Sequence, residues 1–110
     1  EDFPYSFGNG LFLNHKVLAL GTLKPGVKKE IKLRYANSTV KRMNLTFVVA
    51  SDNKDISYVN PGILAPQKRG EIRFTYTIHN KFVGERSFSI YPCIDGKRSS
   101  QPITVTVKGE

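Results

Sequence analysis

Cysteine, methionine and tryptophan are almost missing from this chain: one, one and none in 110 residues. A lone Cys93 excludes an intramolecular disulfide, and with it any zinc site built from several thiolates. Free cysteine is among the most buried residue types, so Cys93 reads as a small core residue before it reads as a reactive thiol. Long apolar runs are missing too. Nothing approaches the roughly 18 consecutive apolar residues of a spanning helix, so no membrane span is expected. The chain opens on Glu1 without a charged, apolar, small-residue leader, which fits a trimmed start or a domain excised from a longer chain and leaves export open. Acidic residues are scarce: nine Asp and Glu stand against 17 Lys and Arg, for a net charge of +8 and a pI near 9.8. That balance points toward acidic partners, and it is equally an ordinary way to keep a small β domain soluble.

The signatures of catalysis are absent as well. His15 and His79 stand far apart, and neither has a neighbour at metal-ligand spacing. Ser6, Ser87, Ser89 and Cys93 lie in no Gly-x-Ser-x-Gly elbow, and the chain has neither a GxxxxGK[ST] loop nor a GxGxxG turn opening a helix. Asp52, Asn53 and Asp55 cluster, but an EF-type calcium loop also needs its central glycine and distal glutamate. No enzyme activity, cofactor or metal is expected. Asn37-Ser38-Thr39 and Asn44-Leu45-Thr46 match the glycosylation acceptor pattern, a tripeptide common by chance.

What is present is period-two alternation. Hydrophobic residues make up 39% of the chain and aromatics 11%, enough for the core of one domain. In residues 27–35, Val27, Ile31, Leu33 and Tyr35 share one parity, and Lys28, Glu30, Lys32 and Arg34 share the other. Lys29 is the one charge on the apolar side. Residues 71–78 put Ile72, Phe74, Tyr76 and Ile78 against Glu71, Arg73, Thr75 and Thr77. Residues 86–92 turn Phe88 and Ile90 inward and leave Tyr91 outward, and residues 102–108 turn Ile103, Val105 and Val107 inward. The run 44–50 is apolar on both parities after Thr46, as in a strand covered on both faces at one end. Such alternation marks half-buried strands.

Pro25-Gly26, Asn60-Pro61-Gly62, Lys68-Arg69-Gly70 and Asp95-Gly96 supply the reversals between them. Together these signals predict an all-β, immunoglobulin-like antiparallel β-sandwich of about seven strands over residues 11–110. Residues 1–10 read as a linker or N-terminal arm whose Phe3, Tyr5 and Phe7 are placed to dock on the domain. Pro92 lacks a ladder donor, which predicts an edge or a bulge there.

The order of these signals is itself distinctive. "LALGTLKPG" (18–26), an alternating strand ending in "YAN" (35–37) and "MNLTFVVAS" (43–51) precede "GILAPQKRGEIRFTY" (62–76), "GERSFSIYP" (84–92) and "ITVTVKGE" (103–110). The pattern, over about residues 12–110, resembles a bacterial family of immunoglobulin-like domains of unknown function. That family is common in secreted and envelope proteins of Gram-negative bacteria and is related in fold to Hydin-type and major-sperm-protein-type sandwiches. The resemblance implies an extracytoplasmic location, in the periplasm or at the cell surface. It also implies a role as one module, the C-terminal one, of a larger exported protein. Gly21 and Gly26 would permit tight backbone geometry, Pro25 pre-sets a turn, Asn37 closes a strand by bonding its own backbone, and Leu64 and Pro66 pin a loop. Many members carry a Cys-x-Cys pair where this chain reads "VVASDNKDISYV", so no metal or redox role is inherited. The usual Pro-Gly of the second half is Pro66-Gln67 here.

The leading expectation is therefore a non-enzymatic structural or interaction module that binds a protein or glycan. Strand edges near Pro92 and the loops around 51–55 and 66–70 are the first places to look, since sandwich loops cluster at the two ends and can form one surface. The alternative is polyanion binding through a basic stripe of Lys28, Lys32, Arg34, Lys41 and Arg42, with Lys68, Arg69, Lys97 and Arg98 in further turns. Most aromatics alternate inward, away from any base-stacking role, so specific nucleic-acid recognition is not expected. A solvated outer face is the simpler account of those charges.

Overall fold

Alternation dictates the two strands at the heart of the first sheet. Lys28–Asn37 (β4) buries Ile31, Leu33, Tyr35 and Asn37, and exposes Lys28, Glu30, Lys32 and Arg34. Arg69–Thr77 (β8) buries Ile72, Phe74 and Tyr76 on the same side. The two pair antiparallel from Lys28 opposite Thr77 to Ala36 opposite Arg69, so Leu33 meets Ile72 and Ile31 meets Phe74. The computed structural model describes residues 3–50 and 55–109. Its other strands are Tyr5–Ser6 (β1), Leu11–Leu13 (β2), Val17–Leu23 (β3), Met43–Val49 (β5), Ile56–Tyr58 (β6), Gly62–Leu64 (β7), Gly84–Ile94 (β9), Lys97–Arg98 (β10) and Ile103–Gly109 (β11).

One sheet runs β1-β2-β4-β8-β6, and the other β3-β11-β9-β5-β7 with β10 attached to β9. They face each other as a sandwich. Phe47 of β5 meets Phe74 of β8 edge-on at 5.8 Å, and Tyr76 of β8 stacks with Phe88 of β9 at 5.9 Å. Both aromatic pairs bridge the sheets. Phe47, Phe74 and Tyr76 are fully buried, each stabilising by about 1.5–3 kcal/mol, while Phe88 is half-buried.

The chain changes sheets between β2 and β3. Asn14 marks the crossing: its amide donates to the Arg34 carbonyl (3.1 Å), and its Oδ1 accepts from the Arg34 amide (2.9 Å). β3 then pairs parallel to β11, carrying one extra residue where Ala19 and Thr22 face Thr106 and Lys108. Gly21 sits in that bulge with φ 74°, a conformation that side-chain-bearing residues avoid.

The sandwich is as expected, but it has eleven described strands rather than about seven. The extra ones are two or three residues long, too short to show a period. Val27 is 48% exposed, because it follows the turn in which its amide donates to the Lys24 carbonyl and lies outside β4. Val48 is 44% exposed, so 44–50 is not covered on both faces. Pro92 is buried in β9 opposite Phe47 of β5, and on its other side the pairing is interrupted between β11, which ends opposite Ile90, and β10, which ends opposite Cys93. Its carbonyl accepts from the Ser99 amide (2.8 Å). Nitrogen and carbonyl of one strand residue point the same way, so the missing donor faces away from β5, past the last β9–β11 pair at Ile90 and Ile103. Of the arm's aromatics, Phe3 and Phe7 are buried and Tyr5 is 41% exposed; Tyr5 and Ser6 pair with Leu13 and Phe12.

Candidate functional site

Asn37 ends β4 and organises one end of the sandwich. It is the buried polar side chain among the described residues, 1% exposed. Its Nδ2 donates to the carbonyls of Lys41 (2.9 Å), Leu64 (3.3 Å) and Ala65 (3.1 Å). Its Oδ1 accepts from the Thr39 amide (2.9 Å) and the Thr39 hydroxyl (2.6 Å). The Thr39 bond is the self-closure expected of Asn37. The three carbonyls tie two separate loops to it, a role the sequence did not signal. They also occupy the amide that glycosylation would need, whereas Asn44 is exposed on β5.

Further bonds fasten the neighbouring loops. Gln67 Nε2 donates to the Ser38 (2.8 Å) and Thr39 (2.9 Å) carbonyls, and Ser38 Oγ donates to the Gly10 carbonyl (2.8 Å). Gly10 (φ 83°) lies so close to the β4–β5 connection that an added Cβ would collide with Thr39 Cγ2. Asp95 Oδ1 accepts from the Asn44 amide at 3.0 Å and holds the β9–β10 turn against β5. Among the described residues, the non-glycine ones with positive φ are Asn9 (52°), Gln67 (61°) and Asp95 (51°), and all three belong to this end. Such conformations cost on the order of 1–3 kcal/mol each and persist where surrounding bonds fix them.

The same end gathers cations: Lys41 and Arg42 after β4, Lys68 and Arg69 entering β8, Lys97 and Arg98 in β10. A cavity of about 300 Å³ opens among Lys41, Arg42, Lys97, Asp95, Thr39 and Asn9, over a floor of Met43 and Ile94. Phe3 lines a separate depression beside Asn37 and Gln67, with the Arg69 guanidinium 5.0 Å and the Arg34 guanidinium 5.5 Å from its ring centre. Arg98 lies 4.0 Å over the Tyr91 ring, the outward aromatic of β9.

The residues expected to form one basic stripe therefore divide. Lys41 and Arg42 line the cavity. Lys28, Lys32 and Arg34 lie on the outer face of β4, and Lys28 is nine residues from Asn37, roughly 30 Å along the strand. That face has mixed signs: Glu30 lies between the lysines, Glu71 pairs across from Arg34, and Arg73 contacts Glu71 at 3.2 Å. The loops around 51–55 and 66–70 also divide. Asp52 and Asn53 lie outside the described residues. Asp55 accepts the Thr77 amide at one end of β8 and contacts His79 Nδ1 at 2.7 Å, while Gln67 is at the other end. Among the described residues no group of three His, Cys, Asp or Glu is placed to hold a metal, and no helix is long and apolar enough to cross a membrane.

The strand edges are protected. β1, β6 and β7 have two or three residues each, and β3 is bulged at Gly21. β4 before Arg34 lacks a second neighbour, but Lys28 and Lys32 flank it. Short, bulged and lysine-flanked edges discourage strand addition. Pro92, buried inside the sheet, offers no edge.

No family model matches the chain, and no curated protein matches it. Solved structures do. An ASH/PapD-like domain of human CEP192 (PapD-like domain 7) is similar with a TM-score of 0.77 at 9% identity, over 100% of this chain and 92% of that one. The periplasmic chaperone SfaE gives 0.69 at 11% identity, over 92% of this chain but 57% of its own. WR4, a C. elegans MSP family member, gives 0.60 at 8% identity over 94% and 100%. At such identities the likeness shows the fold alone: an immunoglobulin-like β-sandwich, similar to PapD-like and MSP-type domains.

Proposed function

We propose that this chain is a non-enzymatic interaction module of a larger exported bacterial protein, meeting a protein partner through the loop end organised by Asn37. One observation carries the reading. Loops from four parts of the sequence are fastened there into a single rigid, cation-rich surface. Rigid loops lose little freedom on binding, so more of the contact energy appears as affinity. The periplasmic chaperone among similar folds supports the extracytoplasmic part of the proposal. The sequence resemblance to envelope-protein domains supports it as well.

Two exposed valines at opposite ends give the test. Val40 (82% exposed) stands at the loop end and Val83 (85%) at the far end. A photo-crosslinking residue at position 40 of the full-length protein, in its native cells, should trap a defined protein adduct. The same residue at position 83 should not. An adduct from position 83 alone, or from neither, would reject the reading.

A second reading, polyanion binding, is favoured by Lys41, Arg42 and Lys97, which line one cavity in which Asp95 is the carboxylate among the described residues. Heparin titrated at several salt concentrations tests it. Binding through these groups should weaken with log salt by roughly 0.7–0.9 per contact, as for nucleic acids. Lys41→Glu/Arg42→Glu should flatten that slope more than Lys28→Glu/Lys32→Glu. Equal slopes in both variants would remove the loop end as the polyanion site.

A further inference from the structure

We infer that the cavity between Lys41, Arg42 and Lys97 is an anchor for a carboxylate side chain of a protein partner, with Met43 and Ile94 receiving an adjacent apolar side chain. The inference rests on the interaction-module reading and names the chemistry that reading needs.

The three cations come from two separate connections, and the backbone of each is fixed. The Lys41 carbonyl accepts from both Asn37 Nδ2 and Thr39 Oγ1, each at 2.9 Å. Lys97 is held in register opposite Ile94 in the β9–β10 hairpin. Like charges are thus brought together by bonds that do not involve the charges themselves. Their mutual repulsion is relieved when an anion enters. Asp95, the carboxylate lining the cavity, already accepts from the Asn44 amide, so its charge is partly committed to holding the turn.

Size and lining narrow the ligand. About 300 Å³ is the low end of ligand-site volumes. It admits one or two side chains and little more. Among the described residues no aromatic ring lines it for a nucleobase to stack on. A sulfated sugar would satisfy the cations and leave the Met43 and Ile94 floor unmatched. A Glu or Asp beside a Leu matches both parts.

The test uses the ¹⁵N-labelled domain titrated with a blocked Leu-Glu-Glu-Leu peptide, a Leu-Gln-Gln-Leu control, and inorganic sulfate. The acidic peptide should produce saturable shifts at Asn9, Met43, Ile94 and Lys97, and the neutral peptide should not. Exposed ion pairs contribute up to about fivefold in affinity each, so Lys41→Ala/Lys97→Ala should weaken binding roughly tenfold or more. Lys28→Ala/Lys32→Ala, equally large in charge, should change it less than twofold. Equal losses from both pairs would mean diffuse attraction and overturn the inference. So would sulfate binding as tightly as the peptide, or no saturable shift at all. If the position-40 adduct forms while the peptide fails, the anchor is wrong and the module reading stands. If the peptide binds and no adduct forms, the module reading fails alone.

Discussion

Replacing Asn37 tests whether the loop end is built as described. Two amide hydrogens serve three carbonyls, so one hydrogen is shared, and Oδ1 accepts twice. Asn37→Ala leaves the buried Leu64 carbonyl and the Thr39 amide without this partner. Five hydrogen bonds to the Asn37 side chain are lost, each worth roughly 0.5–1.5 kcal/mol net. The expected loss is about 3 kcal/mol, or roughly a 12 °C fall in Tm for a domain of this size. Asn37→Asp is the sharper variant, because it keeps the acceptor and turns a negative charge toward three carbonyls. At pH 7 it should be less stable than Asn37→Ala. Its folded pKa would be raised above the unfolded value near 4, so its stability should recover as pH falls toward 4 and be lost as pH rises. Urea unfolding across that range reads both effects. An Asn37→Ala loss below about 0.5 kcal/mol, or an Asp variant as stable as the Ala variant at neutral pH, would refute the hub. Hydrogen exchange adds a local readout, since the amides of Thr39 and Gln67 should lose protection first.

Other perturbations probe the surroundings. Burial raises the Tyr35 phenol above its ordinary pKa of 10.0. Above pH 10 the unfolded chain therefore releases this proton first, and stability should fall by at most about 1.4 kcal/mol per pH unit until the folded phenol also ionises. Tyr35→Phe should remove that slope, and unchanged slopes by urea unfolding would contradict the burial argument. Gly10→Ala should cost clearly more than Gly26→Ala. Both have positive φ (83° and 85°), but only the first meets Thr39 Cγ2. Thr39→Ser deletes that methyl and keeps the hydroxyl. It should restore the Gly10→Ala protein to near the Gly26→Ala value in thermal unfolding, and failure to do so would show the clash is not the cause.

The sandwich was legible in the sequence because β4, β8 and β11 are long and face solvent on one side. Their apolar parity is the parity buried. β1, β6, β7 and β10 carry no period in two or three residues and appear only when longer neighbours dictate their pairing. Val27 misled because it belongs to the turn before β4, and Val48 because it points outward from β5, on the parity opposite Leu45 and Phe47. The loop end was half legible. Lys41 and Arg42 stood out as charges, and Asn37 as a strand terminator. Lys97 and Asp95 lie some fifty residues further on, and only the β5–β9 pairing carries them to the same cavity. Lys28, Lys32 and Arg34 share one outer face as their parity predicts, while the ten-residue strand separates Lys28 from Lys41 and Arg42.

The parallel pairing of β3 with β11 also sets an order of events. Ribosomal synthesis releases β2, β4 and β8 by residue 77, so the first sheet has its central strands while the rest is still emerging. β3, made early, has no partner until residues 103–109 arrive. Its sequence, Val17 to Leu23, carries no charge and waits with Leu18, Leu20 and Leu23 uncovered. Pairings this distant in sequence form slowly. A half-made chain is therefore the form most exposed to wrong strand partners, and the final seven-residue strand is what ends that exposure.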